Sequence, residues 1–244
     1  MTPGLTTPRP RHRTVDRVAT ILESAARHRD GMSLTEIARV VDAPVSSVQG
    51  LVNGLVATGY LDETERRYTL GAAPYLLNLI AGRPSLGAVP HADLVALSEE
   101  TGQPAMLAVA VGRNVFYIDS AMADLRFAYL AENHVRRPLL RTSSGWVFLA
   151  HMDRRDLWAH LQAAGPEDEQ RVEDFLAEMP QIIETGICAS EKSSDTAAGV
   201  AAAVREAGRV VASVVLIGTR EEIAQKRESL TATLTRYAPR WVTA

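Results

Sequence analysis

With 244 residues and 46% hydrophobic content, the chain is long enough to bury one large core and a smaller second one, which excludes disorder over most of its length. Its 26 basic and 29 acidic residues leave a formal net charge of -3, and residues 1–75 hold nine basic against eight acidic, so binding of polyanions by bulk charge is excluded and any nucleic-acid contact is local to the N-terminal part. The single cysteine, Cys188, excludes an intramolecular disulfide and a Cys-rich zinc site; no apolar h-region follows the basic start and the longest apolar run, residues 210–217, is too short for a bilayer, so a soluble cytoplasmic protein with no membrane partner is expected.

Residues 1–13 are rich in Pro, Thr and Arg and carry no acid, which reads either as a disordered leader or as a basic arm able to touch phosphates or a minor groove. Order is expected from Thr14, a plausible N-cap, with Val15, Val18, Ala19, Leu22 and Ala26 repeating at helical spacing as far as Gly31. Ser33 and Glu36 form a capping-box pattern that opens a short helix with Leu34, Ile37, Ala38 and Val41 inward. Asp42 and Ala43 leave a tight turn before Pro44, placed at the first position of the next helix.

That helix, residues 44–59, has Val48, Leu51, Val52 and Leu55 on one face, while Ser46, Ser47, Gln49 and Asn53 lie off it. No charge occurs from Ala43 through Thr58, which leaves a hydrogen-bonding outer face suited to base edges or, more plainly, an ordinary small amphipathic helix. Gly50 and Gly54 each cost on the order of 1 kcal/mol relative to Ala, which points to close approach of DNA or of a packed neighbour. Tyr60-Leu61 and residues 67–70 read as two strands joined by a polar tip, residues 62–66. Two helices joined by a short turn, then a hairpin, make a winged helix-turn-helix whose second helix enters the major groove.

The stretch LTEIARVVDAPVSSVQGLVNGLVATGYLDETERRYTLG resembles the DNA-binding half of the IclR family of bacterial transcriptional regulators, well over residues 14–72 and more weakly to the C-terminus. The family usually has a basic residue where Val45 sits and an arginine where Gly50 sits, so phosphate contacts pass to Arg39, to Arg66 and Arg67 on the wing, or to the arm. Gln49 and Asn53 are the base-reading candidates because a carboxamide pairs bidentately with adenine, with Ser46 and Ser47 nearby. Residues 73–85, with Leu76, Leu77, Leu79 and Ile80, read as a core helix or, by resemblance, as the linker helix where two subunits meet.

Beyond Leu86 the texture alternates. Residues 92–101 read as a helix, 104–111 and 115–120 as a hairpin, and 126–131 as a further strand. Helices are expected over 143–152, 157–163, 167–183 and 221–237, and strands over 187–190, 200–205 and 209–217. The fold class is α+β, with an antiparallel sheet layered against helices. The resemblance implies a GAF-like effector domain over 86–244, in which a six-stranded sheet holds a small ligand.

By that resemblance Ser144 and Trp146 lie at the start of the pocket helix, Trp146 standing where the family tends to have lysine. Ser190 stands where an acid is common, and Val215 and Ile217 where some members carry serines. With Met106, Tyr129 and Cys188, the implied pocket suits an apolar or aromatic effector, because a carboxylate would need convergent donors; a plain core is the competing reading. The AAGVAAA run from Ala197 to Ala203 also departs from the family's usual sequence.

As an enzyme the chain offers little. Cys188 lies in an apolar strand pattern, His151 and His160 stand nine apart, Asp119 and Asp195 are distant, and Ser143-Ser144-Gly145 reads as a helix entry. The expected protein is a sequence-specific regulator, repressor or activator, with double-stranded operator DNA, a small-molecule effector and further copies of itself, as dimer or tetramer, for partners, and no cofactor or metal. Two alternatives stand: a constitutive DNA binder without effector, and a catalytic or carrier domain with a degenerate helix-turn-helix.

Overall fold

The computed structural model describes residues 12–81, 89–122, 125–130, 136–193 and 197–243. The arm, with Arg9 and Arg11, thus lies almost wholly outside the described residues, as do the end of the linker and Asp195. The described residues up to Ala81 form one compact unit and those from Val89 on a second.

In the first unit, α1 (Arg13–Arg27) begins one residue before Thr14, with His12 as N-cap, so Thr14 lies inside the helix and caps nothing. Its buried line is Ile21 and Ala25 with Val18 and Leu22 beside them, whereas Val15 is 64% exposed. The expected stripe lies to the solvent side of the true one, which runs through Ile21 and Ala25. After the two-residue strand β1 (Met32–Ser33), α2 (Leu34–Val40) opens on the full capping box: the Ser33 amide donates to Glu36 Oε2 (2.7 Å) and the Glu36 amide donates to Ser33 Oγ (3.3 Å). The Ser33 amide's bond, with a second from its hydroxyl, lowers the Glu36 pKa.

The chain then turns through Asp42 in the left-handed region (φ 47°) and enters α3 (Val45–Ala57), whose axis stands at 108° to α2. Pro44 is the N-cap and not the first helical residue. Val48, Val52 and Leu55 bury against Ile37, Ala38 and Ile21 in a core closed by Met32, Leu61 and Tyr68.

The wing pairs β2 (Leu61–Thr64) with β3 (Arg67–Leu70), and β3 also pairs with β1, giving the order β1-β3-β2. The tip is only Glu65-Arg66, shorter than expected, with φ of 51° and 60°. A two-residue turn of this hand matches strand twist but usually takes Asn-Gly, so each non-glycine residue costs about 1–2 kcal/mol here. A last helix, α4 (Ala73–Ile80), leaves Tyr75, Leu76, Leu77 and Ile80 each more than half exposed.

The second unit is a sheet covered on both faces. Helix α5 (His91–Thr101) precedes the hairpin β4 (Ala105–Val111) and β5 (Asn114–Ala121), and a 3-10 turn over Leu125–Leu130 stands where a strand was expected. The short β6 (Arg137–Pro138) is followed by α6 (Ser143–Ala150), α7 (Arg154–Leu161) and α8 (Glu169–Thr185), then β7 (Ile187–Cys188). The long pair β8 (Ala198–Glu206) and β9 (Arg209–Gly218), α9 (Arg220–Tyr237) and β10 (Val242–Thr243) complete it.

Among the described residues the sheet has seven strands in the order β10-β8-β9-β4-β5-β6, with β7 on β8, against six expected; β10 runs parallel to β8 and the other pairs are antiparallel. Strand alternation divides the core. Met106, Ala108, Val215 and Ile217 face α6 and α8, while Leu107, Val109, Val214 and Leu216 face α5 and α9. Gly199 of β8 is required by its neighbour strand: a Cβ there would sit 2.8 Å from Val215 Cγ2 and 3.0 Å from the Leu216 carbonyl oxygen of β9.

Candidate functional site

The exposed face of α3 carries Val45, Ser46, Ser47, Gly50, Asn53 and Gly54, and a Cβ built on either glycine would meet nothing within 4 Å. Of the two reasons expected for these glycines, a packed neighbour is therefore absent among the described residues. Gln49 is half-buried and its Nε2 donates to Asn53 Oδ1 at 3.0 Å, one turn on. Its other neighbour is Tyr68 of β3: burial raises the Tyr68 pKa, as does the Glu63 carboxylate, while the Gln49 amide lowers it. Gln49 is thus held between the wing and Asn53, and it is Asn53 whose amide reaches solvent.

The expected phosphate-contacting arginines divide. Arg39 on α2 and Arg66 at the wing tip are exposed. Arg67 is also exposed, yet its Nε donates to the Asp30 carbonyl (2.9 Å) and its Nη2 to the Gly31 carbonyl (2.6 Å), tying β3 to the turn after α1. The wing arginine available for a ligand is Arg66.

In the second unit five of the expected pocket residues, Met106, Trp146, Cys188, Val215 and Ile217, meet in one packed core, and Tyr129, Ser144 and Ser190 are not in that cluster. Trp146 is fully buried, donates from Nε1 to the Leu140 carbonyl (2.8 Å) and stacks edge-on against Phe175 at 5.6 Å. Met106 and Cys188 are fully buried in the same core, where burial pushes the Cys188 thiol up to about 12, an inert group. Ser144 is buried and accepts from Ser213 Oγ at 3.3 Å. Ser190 binds Glu178 Oε1 through its hydroxyl (2.8 Å), in a groove between α8 and α9. Tyr129 is 48% exposed. These residues are core or surface, because hydropathy alone does not separate a cavity wall from a packed interior.

Val215 and Ile217 do line a cavity, of about 20 Å³, over the start of α6. Its other walls were not expected: Tyr117, Leu130, Arg137 and Ser143, with the backbone at Gly199. Thr142 caps α6 by accepting from the Gly145 amide (2.9 Å), and Ser143 Oγ donates to the Gly199 carbonyl (2.7 Å) and meets Ser193 Oγ at 2.9 Å. Arg141 also lines it but is held by Asp168 (3.0 Å) and Glu167 (3.4 Å). Arg137 lies with its guanidinium 5.9 Å from the Tyr129 ring centre, and its buried Nε has no hydrogen-bond partner. Burial raises the Tyr117 hydroxyl to about 12, with Arg137 opposing, so this hydroxyl stays neutral. Nothing periodic in the sequence marks Arg137, which sits on a two-residue strand.

Asp119, distant in sequence from Asp195, meets His91 Nδ1 at 3.0 Å. Among the described residues no cluster of three or more His, Cys, Asp or Glu is placed to hold a metal. No single described helix is long and apolar enough to cross a membrane.

Residues 14–65 match the family model for the IclR helix-turn-helix domain and residues 84–241 that for the bacterial transcriptional regulator IclR C-terminal domain. The HTH-type transcriptional regulator TtgV of Pseudomonas putida is 25% identical over 148 residues, 60% of this chain and 57% of its own length. Among solved structures, an IclR family transcriptional regulator from Brucella abortus superposes with a TM-score of 0.67 at 16% identity over 98% of each chain. An IclR homolog from Microbacterium hydrocarbonoxydans, complexed with 4-hydroxybenzoate, gives 0.61 at 22% identity, covering 91% of this chain and 99% of that one.

Proposed function

Because the chain belongs to the IclR family of transcriptional regulators, we propose that it acts on an operator as a homo-oligomer, with α3 in the major groove and an effector in the second unit setting its affinity. The carrying observation is the outer face of α3: uncharged, free of side-chain bulk at Gly50 and Gly54, and presenting an Asn53 amide already aligned by Gln49. An oriented carboxamide pairs bidentately with adenine at little further entropic cost. Arg39 and Arg66 take the phosphates, and Ser46 and Ser47 lie at the helix entry beside them.

The exposed apolar residues of α4 form the seam between two copies, with 14–72 as the DNA-binding domain, 73–85 as the linker and 86–244 as the effector domain. Paired recognition helices then stand about one DNA turn apart, and an effector that binds one arrangement more tightly shifts the population toward it. The apolar walls at Leu130, Val215 and Ile217 favour an aromatic or aliphatic body in the ligand. In this role the protein works in the cytoplasm and catalyses nothing.

A gel-shift titration against the DNA flanking its own gene tests the reading. A discrete, sequence-specific complex that weakens as salt rises is expected; no such complex even at the lowest salt would overturn it, since phosphate-driven affinity is strongest there. One observation favours a second reading, DNA binding without effector: the cavity at Val215 and Ile217 has room for about one water. A thermal-shift screen of aromatic metabolites separates the two, because a ligand of the folded state raises the melting temperature.

A further inference from the structure

The cavity over α6 contains a charge that no described residue balances. Two arginines reach it. Arg141 is neutralised by Asp168 and Glu167, and Asp168 is in turn bound by Arg171. Arg137 has no such partner among the described residues; its ring neighbour Tyr129 offers only a cation–π contact, and Tyr117 is a neutral phenol. Its Nε is buried without any acceptor. A half-buried guanidinium with an orphaned N–H is costly, and the planar fork of Arg is matched by a carboxylate, which it binds through two parallel hydrogen bonds.

The surroundings fit that occupant. Val115 of β5 pairs with Arg137 in the sheet, which fixes the base of the side chain, and Val215, Ile217 and Leu130 offer apolar wall on the other sides. The Ser143 hydroxyl is already committed to Gly199 and Ser193, which leaves Arg137 as the group short of a partner. Resting on the reading of this cavity as the effector site, we propose that Arg137 is the anchor for an anionic head, so that the effector is a small organic acid with an aromatic or aliphatic body. This reverses the expectation of a ligand without charge: the donor a carboxylate requires is present, on a strand too short to show in the sequence. The cavity holds only about 20 Å³, so an acid enters it by displacing the side chains that line it.

The test uses the full-length protein, with benzoate and 4-hydroxybenzoate as probes and their primary amides as neutral controls, in thermal-shift titrations of wild type, Arg137→Met and Arg141→Met. The acids are expected to raise the wild-type melting temperature by at least about 2 °C and the amides to leave it unchanged. Arg137→Met is expected to lose the response to acid while melting at or above wild type without ligand, because an unbalanced charge has been removed. Arg141→Met is expected to melt lower, having broken an ion pair. Amides that stabilise as well as acids, with the response kept in Arg137→Met, would overturn the anionic anchor and leave the effector cavity standing. No response to acid or amide in wild type would overturn both. Ligand-free destabilisation of Arg137→Met equal to that of Arg141→Met would show its charge to be balanced within the protein and would overturn the proposal on its own.

Discussion

Helices α3 and α6 both carry a Ser-Ser pair near their start and a glycine soon after, and they end in opposite environments. In α3 Ser46, Ser47, Gly50 and Gly54 are at the surface; in α6 all eight residues are buried. A Cβ on Gly145 would stand 1.8 Å from the Leu139 carbonyl oxygen, so the fold itself demands glycine there. At Gly50 and Gly54 the fold demands nothing, and each glycine weakens an exposed helix by about 1 kcal/mol. A glycine required by packing is explained within the chain. Gly50 and Gly54 meet open space within helical backbone, so neither packing nor a positive φ requires them.

The largest way to break this comparison is at Gly145. Gly145→Ala is expected to cost about 3 kcal/mol through overpacking against backbone, read as a fall in melting temperature of roughly 6–12 °C; an unchanged melting temperature would mean α6 is no more constrained than α3. Next comes Asn53→Ala, expected to remove roughly 1–3 kcal/mol of discrimination at a single base pair, measured by competition among operator variants. Gln49→Ala should reproduce part of that loss at the same base pair, because Gln49 aligns Asn53. A loss at a different base pair would show Gln49 to be a reader itself.

Arg66→Ala should weaken all sequences alike and lower the magnitude of the salt slope by about one, whereas Arg67→Ala should act chiefly on stability by releasing the Asp30 and Gly31 carbonyls. The smallest effect is at the end of α6. His151 closes that helix, with Nδ1 donating to the Val147 carbonyl (2.8 Å) and Nε2 accepting from Arg205 (2.7 Å). Burial lowers its pKa, and Arg205 lowers it further. The neutral ring therefore contributes stability that is fully present above the unfolded value of about 6.5 and is lost as pH falls through the lower folded value. Melting temperature followed from about pH 7.5 to pH 5 should fall more for wild type than for His151→Asn.

Much of the first unit was legible because local rules decide it. The Ser33–Glu36 box, the inward Val48, Val52 and Leu55, and the wing strands follow from capping, periodicity and alternation. The lapses there were of contact: Arg67 looks like any surface arginine until Gly31, 36 residues earlier, is brought beneath it. Most of the second unit's elements were legible for the same local reasons, the turn over Leu125–Leu130 and the two-residue β6 and β10 excepted, but its cavity was not. Trp146, Met106 and Cys188 carry the hydropathy of a wall and are core, whereas Arg137 faces the cavity through the pairing of a two-residue strand with β5. Such placement depends on long-range register, which no stretch of sequence displays.

The central claim, that α3 is shaped for a groove and not for its own unit, is tested most directly by Gly50→Ala/Gly54→Ala, measured for both unfolding free energy and operator affinity. The account predicts a gain of about 2 kcal/mol in stability together with a marked loss of affinity. A variant more stable and equally tight on DNA, or one less stable, would contradict it.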